Sequence, residues 1–162
     1  MKKTIFSILG IALLIAVWLG LTYNSLVTKQ EQVESTWSNI QSSYQRRLDL
    51  IPNLVITVKG YAKYEKSTLL EVTQARVQAY NSGNKIINSP PTSQQQLNEL
   101  ASSQAALSGA VSKLLAVSER YPDLKANQNF LKLQDQLEGT ENRINYARTQ
   151  FNNSVKTYNA SI

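Results

Sequence analysis

The sequence predicts an all-α protein in which an N-terminal transmembrane helix leads into an antiparallel, up-down-up-down four-helix bundle of long helices. Three observations carry this reading. No charged side chain occurs from Thr4 to Thr28. Beyond that stretch, apolar residues recur three and four apart in long runs, the spacing of one face of a helix. No segment shows the period-two alternation of a strand, and clusters of β-branched residues are short.

The anchor comes first. Ile5 to Leu21 reads IFSILGIALLIAVWLGL, apolar apart from Ser7. With its flanks this makes about 20 residues and ~30 Å of helix, the thickness of a bilayer's hydrocarbon core. Residues 1–22 are therefore assigned to a membrane anchor that meets lipid through residues 4–22, and residues 23–162 to the bundle domain. Trp18 and Tyr23 lie near the C-terminal end of the span, where amphipathic rings favour the headgroup level. A cleavable signal peptide is the competing reading, but the run is long for one and Thr22-Tyr23-Asn24 and the residues after it offer no small-x-small cleavage pattern. Lys2 and Lys3 on one side against Lys29 on the other bias the N-terminus toward the cytoplasm and the domain toward the outside.

The first bundle helix carries Leu26, Val33, Trp37, Ile40, Tyr44, Leu48 and Ile51 on one stripe and is continuous with the anchor. Pro52 lacks an N–H and biases Ile51 away from helical geometry, so a turn is expected there, with Pro52 opening the second helix. That helix presents Leu54, Val55, Val58, Tyr61, Ala62, Leu69, Val72, Ala75 and Ala79, and Gly60 weakens it without ending it. Asn81 to Gln96, rich in turn-forming residues, is the main loop. Thr92 or Ser93 caps a third helix with Leu97, Leu100, Gln104, Leu107, Val111 and Leu114 on its stripe. Tyr121-Pro122 stops it, and Asp123 caps a fourth helix carrying Phe130, Leu133, Leu137, Ile144, Ala147, Phe151, Val155 and Tyr158. The expected helices span 24–50, 52–81, 92–119 and 124–159. Each is about 40 to 50 Å long, and helices of matched length with short connections pack as a coiled-coil-like bundle.

Composition removes several classes of function. Without His or Cys there is no imidazole base, thiol nucleophile, disulfide or His/Cys metal site. The net charge of +6 includes Lys2 and Lys3, and the remaining cations are interleaved with acids, so nucleic-acid binding is not expected. Ser82-Gly83-Asn84-Lys85 matches the Ser-x-x-Lys of penicillin-recognising enzymes but lacks its partner motifs. No phosphate-binding Gly-rich loop is present.

Charged residues nevertheless fall on the apolar stripes. Glu65 lies between Tyr61 and Leu69, Arg76 four beyond Val72, Glu141 between Leu137 and Ile144, and Arg148 beside Ala147. A charge removed from water needs a partner, so a polar network of Arg47, Asp49, Glu65, Arg76, Glu138, Glu141, Arg143 and Arg148 is expected inside or along the bundle. Glu65, Glu138 and Glu141 could alternatively hold a metal, but carboxylate-rich bundles normally add His ligands and this chain has none. No cofactor or metal is therefore expected. Lys59, Lys63 and Lys66 form a basic strip that suits anionic headgroups or an acidic partner.

Tyr23-Asn24-Ser25-Leu26-Val27, Asp49-Leu50-Ile51-Pro52-Asn53-Leu54, Tyr121-Pro122-Asp123-Leu124 and Leu137-Glu138-Gly139-Thr140-Glu141-Asn142-Arg143-Ile144 strongly resemble the LemA family. The resemblance covers most of residues 22–159. It implies a bacterial single-pass membrane protein with a long-helix bundle and no established enzymatic activity, and a magnetosome-membrane branch implies roles in membrane organisation. Family descriptions place the short N-terminus outside, opposite to the charge bias. Family members often continue past the bundle into an apolar and acidic tail. The motif residues have structural readings: Asp49 and Asn53 bond free backbone groups beside Pro52, Gly109 and Gly139 permit close helix approach, and Glu138, Glu141 and Arg143 pair between helices.

The expected function is that of a non-catalytic scaffold or assembly module of the bacterial cell envelope, anchored in the cytoplasmic (inner) membrane and forming a homo-oligomer. An adaptor that regulates a membrane enzyme such as a protease, binding through Lys59, Lys63 and Lys66, is the alternative. A hydrolase or metal enzyme working through Glu65 or Glu141 is the third.

Overall fold

The computed structural model describes residues 2–84, 90–91 and 93–162, with side chains from Leu9 onward. Every element is helical: α1 Lys2–Tyr61, α2 Lys66–Asn84, α3 Gln94–Val117, a 3₁₀ turn Ser118–Arg120, α4 Pro122–Lys125 and α5 Gln128–Asn159. There is no strand among the described residues.

α1 is a single helix of 60 residues. Its N-terminal part is long and apolar enough to cross a membrane and buries none of that stretch against the protein. Leu9, Leu13, Leu14, Val17 and Leu21 are all more than half exposed. Past Tyr23 the same helix acquires a buried face through Trp37, Ile40, Leu48, Ile51, Leu54 and Val58.

The turn expected at Pro52 is absent, because α1 runs through it to Tyr61. Proline inside a helix costs roughly 3 kcal/mol. Ile51, Leu54 and Val58, each 1% exposed or less, continue the stripe only if the helix is unbroken, and burying such a side chain contributes about 1.5–3 kcal/mol. The carbonyl that Pro52 cannot bond, that of Leu48, instead accepts the Arg76 guanidinium Nε–H at 2.8 Å. The chain turns ten residues later, just after the exposed Gly60. There the Ala62 N–H still reaches the Val58 carbonyl at 2.8 Å and the Glu65 N–H bonds the Ala62 carbonyl at 3.2 Å. α2 is consequently 19 residues long, shorter than expected.

Ser93 caps α3, its hydroxyl accepting from the Gln96 N–H at 3.3 Å. The expected cap at Asp123 is displaced. The pre-proline geometry of Tyr121 opens only the four-residue α4, with Pro122 and Asp123 in its first turn. α5 starts at Gln128, capped by Asn127, whose side-chain oxygen accepts from the Phe130 N–H at 3.0 Å. Of the expected main loop, residues 85–89 and 92 lie outside the described residues.

α1 packs along α5, α2 along α3, and α1 meets α2. The main core joins Leu48, Leu54 and Val58 of α1 with Val72 and Ala79 of α2, Leu107 and Leu114 of α3, and Leu124, Phe130 and Leu137 beyond. A second core, nearer the apolar end of α1, gathers Trp37, Ile40, Leu100 and Ala147, with Tyr44 and Phe151 against it. The Trp37 and Phe151 rings meet at 5.3 Å, tilted by 53°, within the range of favourable aromatic pairs. Further along, Thr36 and Ser154 share a buried hydroxyl bond of 2.8 Å and Lys29 reaches Ser161 at 2.6 Å. These bonds tie α5 to α1 up to the start of the apolar span. Gly109 and Gly139 are exposed, and a Cβ at either position would meet nothing within 4 Å. They do not serve close helix approach, because both lie on outward faces of their helices.

Candidate functional site: a cluster around the buried Arg47

The heptad-like stripe of α1 decides which of two neighbouring arginines is buried. Arg47 follows Tyr44 by three residues and precedes Ile51 by four, so it falls inside and Arg46 falls outside. Arg47 is 4% exposed. It donates from Nη1 to the Gln104 side-chain oxygen at 3.2 Å and to the Gln104 backbone carbonyl at 3.5 Å, while Nη2 pairs with the Glu141 carboxylate of α5. Burial pushes the guanidinium pKa down, with Tyr44 opposing. Even so it remains a cation, because guanidinium deprotonates only far above neutrality.

Tyr44, Arg47, Gln104, Glu141 and Arg148 line one hollow of about 310 Å³ with Ala101, Ala105, Ser108 and Ile144. Burial raises the Tyr44 hydroxyl above its ordinary pKa, and Arg148 and Arg47 offset part of that rise. Gln104 is 6% exposed, and its Nε2 is the one buried side-chain N or O atom without a hydrogen-bond partner among the described residues. An unmet buried donor costs about 1–3 kcal/mol. A larger groove of about 630 Å³ shares Tyr44 and Gln104 as walls and runs past Trp37, Leu48, Ala79, Tyr80 and Leu100, with Arg46, Asp49 and Arg143 also lining it.

The structure sorts the expected polar network into separate pieces. Arg47 and Glu141 meet, and Arg148 lines the same hollow. Glu65 lies at the far end of α1 and α2, where it pairs with Arg120 at 3.0 Å and accepts from the Tyr121 hydroxyl at 3.2 Å. Arg76 serves the Leu48 carbonyl. Asp49 accepts from Gln45 Nε2 at 2.7 Å rather than capping a junction, because the helix does not end there. The Asn53 carbonyl accepts from Thr57 in the same unbroken helix. Glu138 is exposed, and Arg143 is an exposed lining residue of the larger groove.

Lys59, Lys63 and Lys66 are exposed but do not form a strip on one helix. The turn at residues 62–65 separates them, leaving Lys59 in the last turn of α1 and Lys66 at the start of α2. Glu65 and Glu141 sit in different places with different cationic partners, and no group of three or more Asp or Glu converges among the described residues. Gln104 and Tyr44 were on the expected stripes without an assigned role. An amide on an otherwise apolar stripe is the signal that marks a buried polar contact.

The cluster contains donors and one carboxylate, an arrangement suited to holding helices together and to accepting a negatively charged group. A long apolar helix, compatible with a single pass across a membrane, continues into this helical domain. The chain belongs to the LemA family, whose sequence pattern matches residues 36–162. It is 29% identical to Protein LemA of Metamycoplasma hominis over 161 residues, covering 95% of this chain and 68% of that protein. It is 27% identical to Magnetosome protein MamQ 2 of Paramagnetospirillum magneticum, covering 98% of this chain and 63% of that protein. Magnetosome protein MamQ of Magnetospirillum gryphiswaldense is 26% identical, with 86% and 57% covered. The chain thus spans roughly two thirds or less of the length of these relatives. None of their names denotes an enzyme.

Proposed function

We propose that this protein is a non-catalytic, single-pass membrane scaffold of the bacterial cell envelope. Its domain is read as an antiparallel four-helix bundle of α1, α2, α3 and α5, held at a fixed height above the bilayer. The observation that carries the reading is the continuity of α1, in which the apolar span and one core-facing stripe of the domain belong to a single helix of 60 residues. From Tyr23 to Tyr61 this helix rises ~57 Å without a linker. A rigid rod of that kind transmits position and orientation from membrane to domain. Family membership and the MamQ likeness support a membrane role.

The surface that a scaffold would use is apolar. Leu70, Val77 and Tyr80 stand exposed on α2 at helical spacing, with Ile56 and Tyr64 exposed near that end. Apolar rows of this kind mark association surfaces, and association between copies of the chain is the simplest occupant. Photo-crosslinking residues placed at 70, 77 and 80 in cells should join copies of the chain, while the same residue at the exposed position 132 should not. Monomeric mass in mild detergent, together with no crosslinks from the row, would remove the oligomeric scaffold. Protease accessibility of the domain in intact cells stripped of their outer layers, compared with lysed cells, fixes its side of the membrane.

An adaptor for a membrane enzyme is the second reading. The support for it is the grouping of Lys59, Lys63 and Lys66 around the end of the domain farthest from the apolar span. Reversing all three charges should then remove a co-purifying membrane enzyme. An unchanged partner set would sink this reading.

A further inference from the structure

We propose that the hollow between α1, α3 and α5 is an oxyanion-binding site, which takes a single carboxylate or phosphate between Arg47 and Arg148. Arg47 and Arg148 contribute two positive charges and Glu141 one negative, so the lining carries a net charge of +1 (two minus one). Its polar inventory is dominated by donors: two guanidiniums, the Tyr44 and Ser108 hydroxyls and the Gln104 amide.

The amide is the second, independent observation. Its Nε2 is buried and unpartnered among the described residues, while its oxygen is fixed by the Arg47 donor at 3.2 Å. Reversing the amide would set an N–H against the guanidinium, so the free group remains a donor. Gln104 lines both this hollow and the larger groove beside it, and a buried donor without an acceptor beside a net positive lining favours a bound acceptor that carries negative charge. Glu141 meets only part of this demand, since its side chain is 46% exposed and engages Arg47 from one side. At about 310 Å³ the hollow holds a small oxyanion or the carboxylate end of a larger molecule.

With α1 entering the bilayer near Tyr23, as proposed above, Arg47 stands ~36 Å along the helix from the membrane face. Headgroups of the protein's own membrane are then out of reach, which leaves a soluble oxyanion as the ligand. The site itself does not depend on that placement, which decides only the source of the anion.

The test is titration of inorganic phosphate, and separately of acetate, into the full chain in phosphatidylcholine nanodiscs at low ionic strength. Heat of binding and the Gln104 side-chain amide resonance are the two readouts. Saturable binding of at least one probe with a shift of that resonance is expected. The exposed Arg148→Gln should weaken it about tenfold, the worth of one charge-assisted contact, with an unchanged melting temperature. Glu141→Gln removes the competing carboxylate, so it should bind the anion more tightly than the parent and recover melting temperature on adding it. Absence of saturable binding by both the parent and Glu141→Gln overturns the proposal, as does binding that Arg148→Gln leaves unchanged. If Glu141→Gln does not fold, the comparison of parent and Arg148→Gln decides alone. A Gln104 shift produced by phosphatidylglycerol nanodiscs but by neither soluble probe overturns the soluble-anion assignment and, with it, the height argued from α1.

Discussion

Arg76 of α2 donates its Nε–H to the Leu48 carbonyl of α1 at 2.8 Å, which is the backbone group that Pro52 leaves without a helical donor. A defect in one helix is thus the docking point for a second. This explains why an arginine sits on the apolar stripe of α2 between the buried Val72 and Ala79, and why α1 crosses a proline without breaking. Arg76→Ala should cost about 1.5–3 kcal/mol, the range for hydrogen bonds to charged groups. In a Pro52→Ala background the backbone N–H restored at that position bonds the Leu48 carbonyl, and the same change should cost less. A coupling of at least ~0.5 kcal/mol in the double-mutant cycle is expected from chemical denaturation in mild detergent. Additive effects would show that Arg76 does not compensate for Pro52.

The start of α5 makes a sharper local prediction. Asn127 accepts from the Phe130 N–H at 3.0 Å, whereas Asp123 lies in the first turn of the four-residue α4 without capping it. Asn127→Ala should therefore lose about 1 kcal/mol of stability. Asp123→Ala should stay within ~0.5 kcal/mol, as surface substitutions usually do. The reverse order would place the helix start at the proline.

Arg47 and Glu141 allow structural and catalytic roles to be separated. Removing Glu141 leaves a buried guanidinium short of a partner, a situation that costs about 3–5 kcal/mol when both charges are buried. Since the Glu141 side chain is 46% exposed, water takes up part of that loss and ~1–2 kcal/mol is expected for Glu141→Gln. The pair replacement Arg47→Met with Glu141→Leu removes both charges together and should be less harmful than Glu141→Gln alone. A Glu141→Gln variant with unchanged melting temperature and a lost biological activity would instead make Glu141 a reacting group.

The helical periods were legible because burial is one-sided. Trp37, Ile40, Leu48, Leu107, Leu114, Phe130 and Ile144 all stand where their spacing puts them, facing inward. Local rules failed where a neighbouring element changed the balance. Pro52 reads as a break in isolation, but its orphan acceptor is met by a residue 24 positions further on. Lys59, Lys63 and Lys66 read as one strip only while the helix is assumed to continue past Gly60. The partners of Glu65 and Glu141 were not legible, because spacing shows that a charge lies on a stripe but not which helix faces it. Gln104 was visible as a polar residue on an apolar face, and only its three-dimensional neighbours reveal the unmet donor.

Tyr44 supplies the pH dependence. Burial raises its hydroxyl above the ordinary value of 10.0, with the Arg148 and Arg47 charges pulling the other way. The folded protein therefore holds this proton more tightly than the unfolded chain does. The associated stability is fully present below pH 10.0 and is lost as pH rises through the higher folded value. Tyr44→Phe keeps the ring and removes the titration. Between about pH 9 and 11 the parent's unfolding free energy should fall more steeply than that of the Phe variant, while the other tyrosines and lysines affect both equally. At neutral pH the two should differ by no more than ~1 kcal/mol, the worth of one hydroxyl contact. The measurement is denaturant unfolding of both proteins across this range, and parallel curves would mean that partial burial beside the arginines does not raise the Tyr44 hydroxyl.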